Sequence, residues 1–200
     1  HPSTSEKVIL NGVNLNAHFG KPTIIEGSSG SGKTTLLEVI SGLSTPQKGL
    51  VKWRNNSITA AKRKWLCGVV FQFPERHFLG LTISQELRIG HLRLGNEKQL
   101  NVLKKVGLSN INLSQAPEKL SGGQQRRLAI AVQLIKRPGI LLLDEPTAGL
   151  DWSVREEIVN LLKSLSKELV LIIVTHEKKL LKGLPTCTYK LKDGKLESIL

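Results

Sequence analysis

The run Gly27-Ser28-Ser29-Gly30-Ser31-Gly32-Lys33-Thr34 fits the phosphate-binding pattern GxxxxGK[ST]. The apolar stretch Thr23-Ile24-Ile25 before it reads as a strand, and Thr35-Leu36-Leu37-Glu38-Val39-Ile40 after it reads as a helix. The glycines let backbone N–H groups turn inward around phosphate oxygens, and the helix N-terminus adds a partial positive charge. In this arrangement Lys33 reaches the β- and γ-phosphates and the Thr34 hydroxyl is a Mg²⁺ ligand. The expected nucleotide-binding set runs from Gly27 through Thr35.

A second constellation lies far downstream. Ile140-Leu141-Leu142-Leu143-Asp144-Glu145 reads as a fully buried strand ending in two carboxylates. Ligands collect at the carboxyl ends of parallel strands. Asp144 is therefore expected to reach the same Mg²⁺, through water. Glu145 is expected near the γ-phosphate, placed to polarise an attacking water.

Leu120-Ser121-Gly122-Gly123-Gln124 opens a helical run rich in Arg and Ala. Ser121 is a good N-cap, and Gly122 and Gly123 expose backbone N–H groups. A plain helix start is one reading; a second phosphate site is the other. One chain already holds a triphosphate at Lys33, so a second site makes sense if it caps the nucleotide of another copy. That implies a head-to-tail dimer around two ATP molecules. Gln72 ends a strand, and its amide could bind Mg²⁺ or the attacking water; position alone fits a loop amide equally well. His176 follows the strand Leu171-Ile172-Ile173-Val174-Thr175. A neutral imidazole there could contact the γ-phosphate and help orient Glu145, although in isolation it reads as a surface histidine. Asp151, taken alone, is an acidic turn residue.

The elements that must position these groups alternate between strand and helix, which predicts an α/β fold with a mostly parallel sheet. Residues 8–10 and 13–15 are expected to be two short strands around a turn, leading into 23–26. Residues 50–53 and 67–71 are expected strands, with Pro74 blocking continuation of the second. In the segment 75–120, Leu and Ile recur at helical spacing, and 97–106 forms an amphipathic helix ending at Gly107. This is read as a small helical subdomain inserted in the core. Helices over 122–136 and 153–168, a strand over 170–174 and a strand pair around Asp193-Gly194 complete the chain. The whole of 1–200 is read as one domain.

The formal net charge of +13 favours anionic partners: nucleotide, nucleic acid or a lipid headgroup surface. The basic residues are spread. The cluster Lys62-Arg63-Lys64 and the pairs Arg126-Arg127 and Lys178-Lys179 are read as solvated surface. Cys67 and Cys187, the only two cysteines, make neither a disulfide framework nor a metal spacing and are read as small apolar residues. No apolar run approaches the length needed to span a bilayer, so the chain is expected to sit on a membrane at most. With no methionine in the chain, His1 is not expected to be a native start, and a trimmed precursor is expected.

Taken in order, these features resemble the nucleotide-binding subunit of an ABC (ATP-binding cassette) ATPase. The glycine loop matches Walker A, and Gln72 matches the Q-loop glutamine. Residues 120–124 match the LSGGQ signature, and 140–145 match Walker B with its catalytic glutamate. Residues 148–151 match the D-loop, and His176 matches the switch histidine. Val70-Phe71-Gln72-Phe73-Pro74-Glu75, followed by His77-Phe78, looks like the energy-coupling-factor (cobalt/nickel and vitamin importer) branch. Within that branch it is most similar to the plant plastid, non-intrinsic ABC protein type.

The resemblance implies a P-loop NTPase core with an N-terminal antiparallel β part and an inserted helical subdomain. It implies ATP and Mg²⁺ as ligands and a Mg-dependent ATPase activity coupled to transport. Glu145, His176 and Gln72 would serve catalysis, with Thr34, Gln72 and Asp144 around the metal. Ser121, Gly122, Gly123 and Gln124 would close the site from a second subunit, identical or paralogous, with Asp151 in the D-loop. An integral membrane subunit is the other implied partner, and a peripheral membrane location in a plastid is implied too. There are two departures. The family's adenine-stacking aromatic sits shortly before the first strand, where either His1 falls near that position or the aromatic has been cut off, and Trp152 stands where proline is common. A rival reading is a soluble ABC ATPase acting on nucleic acid, translation or iron–sulfur assembly. The short helical segment and the Gln72 neighbourhood favour transport and make a nucleic-acid partner unlikely. A regulatory ATP sensor with little hydrolysis is disfavoured by Glu145 and His176.

Overall fold

A computed structural model describes residues 8–177 and 180–199. Its elements are β1 (Thr23–Glu26), α1 (Lys33–Ser41), β2 (Lys52–Trp53), β3 (Asn56–Ser57), α2 (Ala60–Leu66), β4 (Cys67–Val70), α3 (Ile83–Arg88) and α4 (Asn96–Lys105). They continue with α5 (Gly122–Ile135), β5 (Ile140–Asp144), α6 (Trp152–Leu165), β6 (Val170–Thr175), β7 (Cys187–Lys192) and β8 (Lys195–Ile199). Six strands make one sheet in the order β4-β5-β6-β1-β7-β8. All neighbours in it are parallel except β7 and β8.

The central strands are apolar on both sides because both faces of the sheet are covered. Alternate residues of β5 serve different cores, as the two-residue period of a strand requires. Leu141 and Leu143 pack with Leu128 and Ile130 of α5 and Ile158 and Leu162 of α6. Ile140 and Leu142 pack with Leu36, Leu37 and Ile40 of α1. The helical segment has no core of its own. Ile83 and Leu87 of α3 and Leu103 of α4 belong to the same apolar cluster as α5.

The register aligns the strand ends that matter. Glu26 lies opposite Thr175, Asp144 opposite Val174, and Val70 opposite Leu143. The loops that leave β1, β4, β5 and β6 therefore emerge at one edge of the sheet.

Residues 8–10 and 13–15 differ from expectation: they belong to no strand among the described residues. Gly12 takes φ 66° and its carbonyl accepts from Asn14 Nδ2 at 3.3 Å, which breaks the extended run. Leu10, Val13 and Leu15 still pack against the α1 core. The antiparallel part consists instead of the β2–β3 hairpin and the β7–β8 pair.

The basic cluster was also expected to be solvated surface, but it lies on helix α2, capped by Thr59, whose hydroxyl accepts from Lys62 N–H. Arg63 is buried there. Cys67, read as an apolar residue, is buried at the start of β4, and burial pushes its thiol up to about 12. At any physiological pH it is a neutral core group, consistent with that reading. No helix among the described residues is long and apolar enough to cross a membrane.

Candidate nucleotide site

The loop of residues 27–32 joins the end of β1 to α1. Gly32 is the N-cap of α1 with φ 98°, a conformation that L side chains rarely adopt. A side chain at Gly27 would meet Ser31 Oγ at 2.6 Å and the Leu191 carbonyl at 2.7 Å. Ser28, Ser29 and Gly30 are exposed at the loop's crest, and Ser31 and Thr35 are half-buried. Lys33 folds back over the loop. Its Nζ donates to the carbonyls of Gly27 at 2.8 Å and Ser28 at 3.0 Å, and lies 4.0 Å from Glu145 Oε1. The ammonium thus stands between the loop and the carboxylate proposed as the base.

Thr34 and Asp144, both expected metal ligands, are brought together: the Thr34 hydroxyl donates to Asp144 Oδ2 at 2.6 Å. Burial raises the Asp144 pKa; the Thr34 bond opposes that, Glu145 reinforces it, and Lys33 opposes it. Both groups offer hard oxygen donors, the type Mg²⁺ prefers. A buried carboxylate whose charge is costly is a group that a cation would relieve.

The sign of this effect gives a prediction. A carboxyl held above its unfolded value stabilises the fold fully below the unfolded pKa, and that contribution is lost as pH rises through the folded value. Ionising Asp144 as pH rises therefore costs the metal-free fold stability. Asp144→Asn is expected to melt at the same temperature or about 2–4 °C higher without metal, while hydrolysis falls at least about a hundredfold. Thermal melts from pH 6 to 8 beside turnover assays check both halves, and a lower melting temperature overturns the account.

Glu145 follows β5 in the left-handed region, at φ 46°. Such a backbone persists in a non-glycine residue only where its surroundings hold it. Here Glu145 N–H donates to the Val174 carbonyl at 2.9 Å, and its own carbonyl accepts from Ala148 N–H at 3.1 Å and from Arg126 Nη1 at 3.2 Å. Its carboxylate is equally held. Oε2 accepts from the Thr175 hydroxyl at 3.0 Å and from His176 N–H at 3.3 Å, and it lies 2.9 Å from His176 Nδ1. The His176 ring is otherwise exposed, with 66% of its side chain open to solvent. Glu145 and His176 are thus in direct contact, while Glu145 and Asp144 are both buried.

Ser121 caps α5 in a capping box. Its Oγ accepts from Gln124 N–H at 3.4 Å, and Gln124 Oε1 accepts from Ser121 N–H at 2.9 Å. The Ser121 hydroxyl hydrogen stays available to an outside acceptor. Ser121 and Gly122 are exposed, whereas Gly123 is buried against α6; a Cβ on it would stand 2.1 Å from Val154 Cγ1. Among the described residues, no hydrogen bond or ion pair joins residues 121–124 to Lys33 or Glu145 of the same chain. Gln72 is exposed two residues past β4, at the same sheet edge as Asp144. Asp151 is the exposed N-cap residue of α6 and makes no side-chain cap bond. His1 and the pair Lys178-Lys179 lie outside the described residues.

Two participants were missed in the sequence. Arg126, read there as surface, is 2% exposed and bonds the carbonyls of Glu145 and Ala148. Burial pulls its guanidinium pKa down, with Glu75 opposing. Thr175 is fully buried and donates to Glu145. A hydroxyl at the end of a buried strand, next to the histidine, was the signal that could have found it.

The sequence and the fold both match known proteins. The model of the ABC transporter family matches residues 10–148. The chain is 38% identical to ABC transporter I family member 11, chloroplastic, of Arabidopsis thaliana, across 96% of this chain and 75% of that protein. It is 39% identical to the energy-coupling factor transporter ATP-binding protein EcfA2 of Acetivibrio thermocellus, across 86% of this chain and 65% of that protein. Among solved structures, cbiO1 from Clostridium perfringens, part of the ABC transporter complex cbiONQ, superposes with a TM-score of 0.83 at 32% identity. That match covers 96% of this chain and 80% of cbiO1. A bacterial ABC transporter cassette solved as a dimer superposes with a TM-score of 0.79 at 32% identity, covering 94% of this chain and 88% of the cassette.

Proposed function

The chain belongs to the ABC transporter family, and from that premise we propose that it binds and hydrolyses ATP to power transport through a separate membrane protein. The observation that carries the reading is the Glu145 carboxylate, held by Thr175 and His176 at the end of β5 with Lys33 4.0 Å away. A fixed carboxylate beside a phosphate-binding lysine is what hydrolysis of a phosphoanhydride by water requires.

Lys33 and the loop amides hold the phosphates. Thr34 and Asp144 would hold Mg²⁺, with Gln72 completing the set; when bound, the cation neutralises developing phosphate charge. Glu145 takes a proton from the attacking water, and His176 keeps the carboxylate in place. Ser121, Gly122, Gly123 and Gln124 serve the nucleotide of a second subunit, whose own signature residues serve this one. That assignment accounts for the hydroxyl hydrogen that Ser121 keeps while its oxygen caps α5. Asp151 meets the partner across the same interface. The helical part of residues 75–120 is the natural moving element, and the exposed Leu79 and Leu81 beside Gln72 offer it apolar contact with a membrane subunit.

The cargo is a metal ion or small micronutrient, by analogy with the energy-coupling-factor relatives. The plant relative supports a plastid location on the membrane surface. The relatives favour this reading over a soluble ATPase working on nucleic acid.

Affinity capture from native membranes, using the Glu145→Gln chain locked with Mg·ATP, tests it. Recovery of an integral membrane protein together with a second cassette subunit is the expected result. Recovery of ribosomes, nucleic acid or soluble assembly factors instead would overturn it.

A further inference from the structure

Glu177, one residue past His176, has a side chain only 14% exposed. Its Oε1 accepts from the Thr147 hydroxyl at 2.9 Å and from Arg155 Nη2 at 2.7 Å. Its backbone N–H donates to Thr175 Oγ1 at 3.0 Å. The Thr175 hydroxyl in turn donates to Glu145 Oε2 at 3.0 Å. Three segments therefore meet at this one residue: the turn after Glu145 and the first turn of α6 at its carboxylate, and the end of β6 at its backbone N–H. Arg155 also anchors that helix turn, donating its N–H to the Asp151 carbonyl at 2.8 Å.

The direction of the hydroxyl follows from this order. Thr175 Oγ1 receives a hydrogen from Glu177, so its own hydrogen is free to point at Glu145. Each bond in such a buried chain polarises and orients the next. The bonds of Arg155 and Thr147 to its carboxylate hold Glu177 where its N–H meets the Thr175 hydroxyl.

We propose that Glu177, anchored by Arg155, is a positioning residue for hydrolysis that orients the Glu145 carboxylate through the Thr175 hydroxyl. The relay also joins the catalytic turn to the helix that carries Asp151, the residue assigned to the subunit interface. The inference rests on the reading of Glu145 as the base, and the experiment separates the two.

The test measures kcat and the equilibrium affinity for ATP on the full chain. The variants are Glu177→Ala, Arg155→Ala, Thr175→Val and the Thr175→Val/Glu177→Ala double. Each single variant is expected to lose about ten- to a hundredfold in kcat, because a misaimed base costs on that order, with ATP affinity within about twofold of the unaltered chain. Glu177→Gln, which keeps an acceptor for Thr147 and Arg155, should recover most of the rate. The double variant should be no slower than its slower parent, since both changes cut one relay.

Losses that multiply in the double, an unchanged kcat, or affinity falling in step with kcat would overturn the inference while leaving the ATPase reading intact. Absence of hydrolysis by the unaltered chain would overturn the ATPase reading and this inference with it. Arg155, partly exposed on α6, keeps the test decisive should Glu177→Ala fail to fold.

Discussion

A chain with Glu145 replaced by glutamine binds ATP, pairs with a second subunit and turns over about 10²–10⁴ times more slowly, the usual worth of a positioned general base. The surroundings of Glu145 make this expectation specific. Glutamine keeps an oxygen that can accept from the Thr175 hydroxyl and from His176 N–H, so the shape of the turn survives. The backbone bonds from Arg126 and to Val174 do not involve the side chain at all. What disappears is the proton acceptor and the negative charge facing Lys33. Steady-state hydrolysis, nucleotide affinity and ATP-dependent dimer mass, measured on one preparation, check the three parts. Undiminished hydrolysis removes Glu145 from its role.

Lys33→Ala acts on the other side of that contact. Its ammonium is nearly buried, with 10% of the side chain exposed, and at present satisfies the Gly27 and Ser28 carbonyls. In the nucleotide-bound chain those bonds to neutral carbonyls are exchanged for bonds to anionic phosphate oxygens, in which donor and acceptor are both charged. Loss of the side chain removes them and leaves Glu145 without its nearest cation. Affinity for ATP is expected to fall at least about a hundredfold. Titration with a fluorescent ATP analogue measures this directly, and retained affinity counts against the phosphate-loop assignment. The two variants separate binding from chemistry: one leaves affinity and stops turnover, and the other loses affinity first.

The helices and buried strands were legible because their signals are local and long. The strand is continuously apolar over 140–143 since both its faces are covered, and α5 begins at a serine-glycine cap that needs no tertiary context. The short N-terminal strands failed for the opposite reason. Three-residue stretches such as Val-Ile-Leu at 8–10 and Val-Asn-Leu at 13–15 cannot distinguish pairing in a sheet from packing of side chains beneath a loop. Helix α2 was hidden because a basic run looks the same whether all or only some of its side chains face solvent.

Residue types and spacing by themselves determined the chemistry this chain carries. A glycine loop that must turn amides inward, a lysine and threonine at the next helix start, and carboxylates at a buried strand's end are written in contiguous stretches. Their physics is that of a few neighbouring bonds. Only the tertiary structure decided which group meets which. Thr34 and Asp144 are 110 residues apart and meet at 2.6 Å because α1 packs against the face of the sheet that holds β5. Arg126 and Arg127 are adjacent in sequence, yet successive side chains of a helix point about 100° apart. One is buried against the turn at Glu145, while the other pairs with Glu157 on α6. Glu177 carries no motif at all. It becomes part of the site because the parallel register brings the ends of β5 and β6 side by side, and a contact made across strands leaves no mark on the local sequence.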